Sequence, residues 1–230
     1  GESGSGKSTL ARCIVRLLDV EAGEIRYRGV DLATLGRRAM RPYRAKVQMV
    51  FQDPYASLNP RNRVGAIVAA GPLTLGATRA EAASRAREAL ERVGLDAGAF
   101  ERYPHEFSGG QRQRIGLARA LALEPEVLVA DEPVSALDVS IQAQVLQLLE
   151  RIREELSLSM VFITHDLRVA AQVCDRIAVM RLGQVVEEGE TGRLFERAEH
   201  PYTRELLAAV PGRHWTNPSH SRAHRGAGIG

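Results

Sequence analysis

Residues 107–114, with the sequence F-S-G-G-Q-R-Q-R, hold the pattern in this chain that most directly suggests chemistry. Ser108, Gly109, Gly110 and Gln111 stand where a loop is expected to turn into a helix. Backbone N–H groups at a helix N-terminus point outward and carry partial positive charge, so this segment could hold a phosphate group. An N-cap serine followed by flexible glycines is also common without such a role. The phosphate interpretation therefore depends on what accompanies the segment.

A second phosphate-related pattern opens the chain. Residues 1–8 read G-E-S-G-S-G-K-S and match the phosphate-loop pattern G-x-x-x-x-G-K-[ST] at every fixed position. Glycines let a backbone wrap around phosphates without Cβ clashes. The side chain of Lys7 would reach the β- and γ-phosphates of a nucleotide, and the hydroxyl of Ser8 would bind Mg²⁺. Residues 9–18 are predicted to continue from the loop as a helix.

An acidic pair follows an apolar run. Residues 126–130 (E-V-L-V-A) precede Asp131 and Glu132, which predicts a buried parallel strand that ends at a site. Asp131 would be placed to hold Mg²⁺ through water. Glu132 could accept a proton from an attacking water molecule. An ordinary strand followed by a polar turn is the alternative, which the phosphate loop in the same chain disfavours.

Together these segments resemble the ATPase subunit of an ABC transporter, and three further landmarks match in the family's order. Gln52, within V-F-Q-D-P, is similar to the Q-loop of that family. Residues 135–138 (S-A-L-D), which end in Asp138, are similar to its D-loop. His165 follows an apolar run and is similar to its switch histidine. The resemblance covers nearly the whole chain and implies an α/β fold, with a P-loop NTPase (ABC ATPase) core and an inserted α-helical subdomain.

The resemblance also implies which residues act on ATP and Mg²⁺. Glu132 would polarise the attacking water, His165 would stabilise the γ-phosphate, and Gln52 would be the third catalytic residue. Mg²⁺ would be held by Ser8, Gln52 and Asp131. The ATP-binding residues would be Gly1, Ser3, Gly4, Gly6, Lys7, Ser8 and Thr9.

The partners of the chain follow from the same resemblance. Ser108, Gly109, Gly110 and Gln111 would act in trans on the ATP of a second ABC ATPase subunit, in a head-to-tail homodimer or heterodimer. The other implied partners are transmembrane permease subunits and, indirectly, a substrate-binding protein, with no nucleic acid. The chain would then be a peripheral protein on the cytoplasmic face of the cell membrane.

Two segments narrow the resemblance to the ATPases of oligopeptide and dipeptide importers. Residues 52–61 (Q-D-P-Y-A-S-L-N-P-R) and 200–207 (H-P-Y-T-R-E-L-L) look like segments of that subfamily. Nickel, glutathione and other importers carry similar segments, so the implied cargo is peptides or a related small solute. A soluble ABC ATPase that acts on DNA, ribosomes or cluster assembly stays open as an alternative, and so does a non-catalytic remnant.

Composition argues against several classes of protein. The chain has 230 residues, of which 44% are hydrophobic and 26% are charged, as in an ordinary globular protein. A formal net charge of +3 is too small for the dense basic patch of a nucleic-acid binder. Residues 64–75 form an uncharged stretch that is too short to span a bilayer. Cys13 and Cys174 lack metal-ligand spacing and are interpreted as small core residues.

The order of elements predicts one ABC ATPase domain over residues 1–211. The helical subdomain is expected at about residues 53–123, a C-terminal extension of the HPY type from about residue 198, and a disordered tail over residues 212–230. Compared with the family, the strand that leads into the phosphate loop is missing from the given chain. The first strands of the sheet are therefore expected to be missing, and ATP binding by the chain alone is expected to be weak.

Local patterns predict individual elements. Thr78 and Glu81 have the spacing of a capping box at the start of a helix, and Gly94 fits the position just past its end. Residues 160–164 are predicted to form a buried strand. The apolar runs on either side of Gly183 are predicted to pair as a hairpin.

Overall fold

The computed structural model describes residues 1–53 and 57–210 of the chain. The chain folds as two units: Gly1–Lys7 with the chain from Thr164 onwards form the first, and Ser8–Ile163 form the second. The predicted disordered tail at 212–230 lies outside the described residues, as do residues 54–56 of the segment that follows Gln52.

Parallel strands form the main sheet of the second unit, after a short antiparallel hairpin of β1 (Arg26–Tyr27) and β2 (Val30–Asp31). The order in the parallel sheet is β3 (Val47–Val50), β4 (Val127–Asp131), β5 (Ser159–Ile163). The register pairs Val50 with Ala130 and Asp131 with Ile163, so the carboxyl ends of the strands lie at one edge. Ligand sites of parallel sheets form at this edge. The prediction of a buried parallel strand that ends at Asp131 is confirmed.

Strand β5 is less buried than its sequence predicts. It pairs with β4 on one side, and among the described residues no strand pairs with its other edge. Val161 in this strand is 38% exposed. A continuous apolar run is typical of a strand that is covered on both faces, so the exposure of Val161 departs from what the sequence predicts. The predicted strand forms, at Ser159–Ile163 instead of residues 160–164, but the prediction that it is buried is wrong.

Helices connect the strands of the second unit. Those whose bounds lie within the described residues are α1 (Lys7–Ile14), whose first residue belongs to the first unit, α2 (Arg41–Lys46), α3 (Val64–Thr74), α4 (Arg79–Arg92), α5 (Gly109–Leu121) and α6 (Val139–Glu155). Short 3₁₀ helices lie at Leu32–Thr34, Ala97–Glu101 and Pro104–Glu106. None of the helices in the described ranges is long and apolar enough to cross a lipid bilayer.

Helix α4 forms as its sequence predicts. The amide of Glu81 donates to Thr78 Oγ1 at 3.2 Å and the amide of Thr78 donates to Glu81 Oε2 at 2.8 Å, which confirms the capping box. Gly94 has a φ of 75°, and Leu95 N donates to Leu90 O at 3.0 Å, so the helix ends in a Schellman motif. The helix packs against α3 and α5. Its buried face consists of Ala82, Ala86, Ala89 and Leu90.

Helix α1 is shorter than predicted. Its sequence predicts continuation through residue 18, but it ends at Ile14, because Arg16 adopts a left-handed conformation with a φ of 57°. Leu17 N donates to Arg12 O at 2.8 Å, and Arg16 N donates to Cys13 O at 2.9 Å. These bonds also form a Schellman motif, in which the left-handed position normally holds glycine. The sequence has no glycine signal at this position, and the predicted longer helix is therefore wrong.

The first unit is built around an antiparallel hairpin. Strands β6 (Arg176–Arg181) and β7 (Gln184–Glu190) pair on either side of Gly183, which confirms the predicted hairpin. Up to residue 210, the helices of this unit are α7 (Leu167–Val173), α8 (Thr191–Arg197) and α9 (Pro201–Ala208). The core between these elements consists of Ala170, Ile177, Val179, Leu194 and Tyr202.

Candidate functional site

The predicted phosphate loop lies in the first unit. Gly4 and Gly6 have φ values of 79° and 97°, which residues with a side chain rarely adopt. The ammonium group of Lys7 donates hydrogen bonds to the carbonyl oxygens of Gly1 at 2.9 Å and Glu2 at 2.6 Å, and to Ser5 Oγ at 3.2 Å. An ammonium has three N–H donors. These contacts therefore use all of them and hold the positive charge against the loop.

The loop rests on the hairpin of β6 and β7. The amide of Gly183 donates to Ser5 O at 3.0 Å. A Cβ on Gly1 would lie 1.9 Å from the carbonyl oxygen of Met180, and a Cβ on Gly6 would lie 3.4 Å from Gly183 Cα. The hairpin beneath the loop therefore excludes a side chain at Gly1, whereas glycine at position 6 is favoured by its positive φ.

Ser8 and Asp131 meet in the second unit. Ser8 Oγ donates to Asp131 Oδ1 at 2.9 Å, although the two residues are 123 positions apart. Asp131 ends β4 and is only 3% exposed. A carboxylate and a hydroxyl are the hard oxygen ligands that Mg²⁺ prefers when it shares its coordination with phosphates and water. The described residues contain no cluster of three or more His, Cys, Asp or Glu side chains that could hold a metal ion.

Glu132 has an unusual backbone. Its φ is 45°, and its amide donates to the carbonyl oxygen of Ile163 at 2.9 Å across the end of the sheet. Its Oε2 accepts a hydrogen bond from Gln52 Nε2 at 3.3 Å. Ser135 Oγ donates to Glu132 O at 3.1 Å and lies 3.4 Å from the same Gln52 nitrogen. The structure therefore brings together Glu132 and Gln52, which sequence analysis assigned to one site.

The predicted signature segment begins helix α5. Ser108 Oγ accepts a hydrogen bond from Gln111 N at 3.3 Å, and Gln111 Oε1 accepts one from Ser108 N at 2.9 Å. This capping box confirms the predicted turn from loop to helix. Both side chains are exposed.

The predicted D-loop lies beside the signature segment. A Cβ on Gly109 would lie 3.8 Å from Leu137 Cδ2, and one on Gly110 would lie 2.5 Å from Ile141 Cγ2. Asp138 precedes α6, and its side chain makes no capping hydrogen bond to that helix. Val139, the next residue, is 84% exposed.

His165 belongs to the first unit and follows the end of β5 by two residues. Its side chain is exposed. The next residue, Asp166, caps α7 by accepting a hydrogen bond from Arg168 N at 2.8 Å, and it forms an ion pair with the Arg168 guanidinium at 2.9 Å. Burial tends to raise the pKa of Asp166, but the hydrogen bonds from Arg168 outweigh it and lower the pKa below its ordinary value.

A partly buried charge close to Phe51 was not predicted from the sequence. Arg119 on α5 donates to the carbonyl oxygen of Ser57 at 2.5 Å, and its guanidinium lies 5.9 Å from the centre of the Phe51 ring. Burial lowers the pKa of Arg119 from its ordinary value. The guanidinium thus ties the signature helix to residues on both sides of Gln52. The sequence feature that could have identified Arg119 is its position between Ala118 and Ala120, on a buried face of the helix.

Comparisons with known proteins agree with these features. A family model described as ABC transporter matches residues 1–135 of the chain. A Brucella ovis protein provisionally named as a peptide import ATP-binding protein is 54% identical over 212 residues, which are 92% of this chain and 67% of the relative. The oligopeptide transport ATP-binding protein OppF of Bacillus subtilis is 50% identical over 214 residues, which are 92% of this chain and 70% of the relative.

A solved structure is also similar. It is a dimeric structure of a post-hydrolysis state of the ATP-binding cassette MJ0796 bound to ADP and Pi. The match has a TM-score of 0.73 and 32% sequence identity, and it covers 83% of each chain.

Proposed function

The chain belongs to the ABC transporter family, and on this premise we propose that it is the ATP-binding and ATP-hydrolysing subunit of an importer of peptides or related small solutes. The observation that carries the proposal is the pairing of Ser8 with the buried Asp131, next to Glu132 and its partner Gln52. The names of the Brucella ovis and Bacillus subtilis relatives support peptides as the cargo class.

The phosphate loop and the end of β4 would bind MgATP. Gly4 and Gly6 leave the loop free of side chains where the backbone turns, and Lys7 supplies a positive charge next to its amides. Ser8, Asp131 and Gln52 are the residues that would hold Mg²⁺. The ion would supply charge neutralisation at the β- and γ-phosphates when bound. Gly1, Ser3 and Thr9 complete the proposed ATP-binding set.

Glu132 would take the proton from the attacking water. The left-handed backbone of this residue and the hydrogen bond from Gln52 fix the carboxylate just beyond the proposed magnesium ligand Asp131. A positioned carboxylate of this kind accelerates hydrolysis by about 10²- to 10⁴-fold. His165 would contact the γ-phosphate.

The signature segment would complete the ATP site of a second ATPase subunit. Ser108 and Gln111 lie exposed at the N-terminus of α5, where backbone N–H groups favour an anion. Gly109, Gly110 and Asp138 belong to the same proposed surface. The dimeric state of the similar cassette supports this assignment.

The remaining partners would be transmembrane permease subunits and, through them, a substrate-binding protein. The helical subdomain at about residues 53–123 would meet the permease, so the chain would act at the cytoplasmic face of the cell membrane as a peripheral subunit. This subdomain would include helices α3 to α5, which pack against one another.

Binding and hydrolysis of ATP by the full chain test the proposal. Lys7→Ala should weaken ATP binding by about 2–3 kcal/mol or more, because it removes a charge-assisted phosphate contact. Glu132→Gln should keep the affinity and lose turnover by about 10²- to 10⁴-fold. Lys46→Ala, at the chain's other lysine and in an ion pair with Glu126, is the matched control and should change neither quantity. Because binding by this chain alone is expected to be weak, the proposal is contradicted, and a non-catalytic remnant favoured, only if a version that includes the strand leading into the phosphate loop neither binds nor hydrolyses ATP.

A further inference from the structure

The phosphate loop has a contact that no phosphate-loop pattern predicts. The amide of Glu2 donates a hydrogen bond to the hydroxyl oxygen of Tyr202 at 3.0 Å, across 200 residues of sequence. Tyr202 is 3% exposed, so its hydroxyl is a fixed acceptor with little access to water. Both residues belong to the first unit.

Apolar core residues and one guanidinium group hold the ring of Tyr202 in place. It belongs to the core of the first unit, together with Ile177 and Val179 of β6 and Leu194 of α8. The guanidinium of Arg181 lies over the ring, 4.7 Å from its centre. The position of the hydroxyl is therefore set by the packed core.

The residues before Tyr202 fix the start of helix α9. His200 caps the helix, because its Nδ1 accepts a hydrogen bond from Tyr202 N at 3.1 Å, and Pro201 takes the first helical position. The carboxylate of Glu187 in β7 accepts hydrogen bonds from Glu199 N at 2.8 Å and His200 N at 3.2 Å. Burial tends to raise the pKa of Glu187, but its hydrogen-bond partners outweigh this and lower the pKa below its ordinary value. Each residue of the H-P-Y sequence thus has a structural role. His200 caps helix α9, Pro201 takes its first position, and the hydroxyl of Tyr202 accepts a hydrogen bond from the phosphate loop.

Glu2 is also the residue that Lys7 contacts most closely. Its carbonyl oxygen accepts from Lys7 Nζ at 2.6 Å and from Ser5 N at 3.3 Å. Its amide is the group that Tyr202 holds. Loss of the tyrosine hydroxyl would therefore leave a backbone donor unpaired next to the peptide that positions Lys7.

We propose that Tyr202 is a positioning residue for nucleotide binding: its hydroxyl fixes the Glu2 backbone, and through it the conformation of the phosphate loop and Lys7. The expected effect of Tyr202 on ATP binding rests on the proposed function. It makes helix α9, near the end of the described chain, a structural part of the nucleotide site.

Tyr202→Phe in the full chain tests the proposal, because it removes the hydroxyl and keeps the ring in the core. ATP affinity should fall by about three- to tenfold, the loss expected for one hydrogen bond. Exchange of the Glu2 amide with solvent, measured by NMR without nucleotide, should become faster. Tyr27→Phe is the matched control: it also removes a hydroxyl that is hydrogen-bonded to a protein group, Glu126, but in the other unit. It should leave ATP affinity and Glu2 exchange unchanged, even if both variants lose similar thermal stability.

The two readouts separate this proposal from the proposed function. An unchanged Glu2 exchange rate in Tyr202→Phe would overturn the positioning role, whether or not the parent binds ATP. A parent that binds ATP, together with a Tyr202→Phe variant of equal affinity, would overturn it as well. A failure of ATP binding, in the parent and in a version that includes the strand leading into the phosphate loop, would contradict the proposed function alone, and amide exchange would still decide the role of Tyr202 in the loop.

Discussion

Gly110 of helix α5 lies so close to Ile141 of helix α6 that a Cβ on the glycine would be 2.5 Å from Ile141 Cγ2. The two helices therefore approach at a point where no side chain fits. This contact sets the position of the N-terminus of α5 relative to the segment that follows Asp138.

Gly110→Ala should destabilise the chain by about 1–3 kcal/mol, because the added methyl group must displace Ile141 or shift a helix. Gly116→Ala in the same helix is the matched control. A Cβ on Gly116 meets no atom within 4 Å, so alanine there should stabilise the helix by about 0.5–1 kcal/mol. Denaturant unfolding of both variants gives the two free energies. Equal changes in stability would show that the contact with Ile141 is not tight.

Ser108→Arg should prevent ATP-driven dimerisation, because a large cation would occupy the exposed N-terminus of α5 that is proposed to face the partner's ATP. Thr78→Arg is a control for loss of the cap, since Thr78 forms the same capping box at the start of α4. Each substitution should cost about 1 kcal/mol of stability. Size-exclusion chromatography with ATP, in a Glu132→Gln background, separates the two effects. If both variants dimerise like the parent, the trans assignment of Ser108 is wrong.

The stability of the second unit should depend on pH through Glu126. This carboxylate accepts a hydrogen bond from the Tyr27 hydroxyl, and it forms ion pairs with Arg28 at 2.7 Å and Lys46 at 3.3 Å. The bond from Tyr27 contributes most to lowering the pKa of Glu126 below its ordinary value of 4.5, against a smaller opposite effect of burial. Because the pKa is lower in the folded state, the stabilisation is complete above pH 4.5 and is lost as the pH falls through the folded-state pKa.

Denaturant unfolding of the parent and of Glu126→Gln, measured at pH values from above 4.5 downwards, checks this pH dependence of stability. The free energy of unfolding of the parent should fall more steeply with decreasing pH than that of Glu126→Gln. Tyr27→Phe removes the largest cause of the lowered pKa of Glu126. The free energy of unfolding of this variant should therefore also fall less steeply with decreasing pH than that of the parent. A slope that is the same in all three proteins would rule out Glu126 as its source.

Local sequence patterns predicted the elements whose signals lie within a few residues. The capping box that begins at Thr78, the turn into a helix at Ser108 and the left-handed Gly94 are each set by residues within one helical turn. The apolar run before Asp131 predicted its strand because burial on both faces requires such residues. The apolar run before an acidic pair also located Glu132, whereas Gln52 was located by the family resemblance, and the structure shows the contact between the two side chains.

Other features depend on contacts that no local pattern encodes. Arginine replaces the usual glycine at position 16, so the end of α1 had no recognisable signal. The exposure of Val161 depends on what covers its face of the sheet, and the sequence of β5 does not determine that. The hydrogen bond between Glu2 and Tyr202 joins residues 200 positions apart, so periodicity and spacing could not predict it. The proposed catalytic and trans roles remain predictions until the variants are measured.

The left-handed backbone of Glu132 also bears on how this protein could be engineered. A residue with a Cβ in that conformation costs about 1–2 kcal/mol relative to a right-handed one. Glycine would relieve the cost but would remove the carboxylate proposed to activate water. A selection for heat resistance would therefore enrich Glu132→Gly, while a selection for turnover would eliminate it. Efforts to stabilise the chain should therefore leave position 132 unchanged.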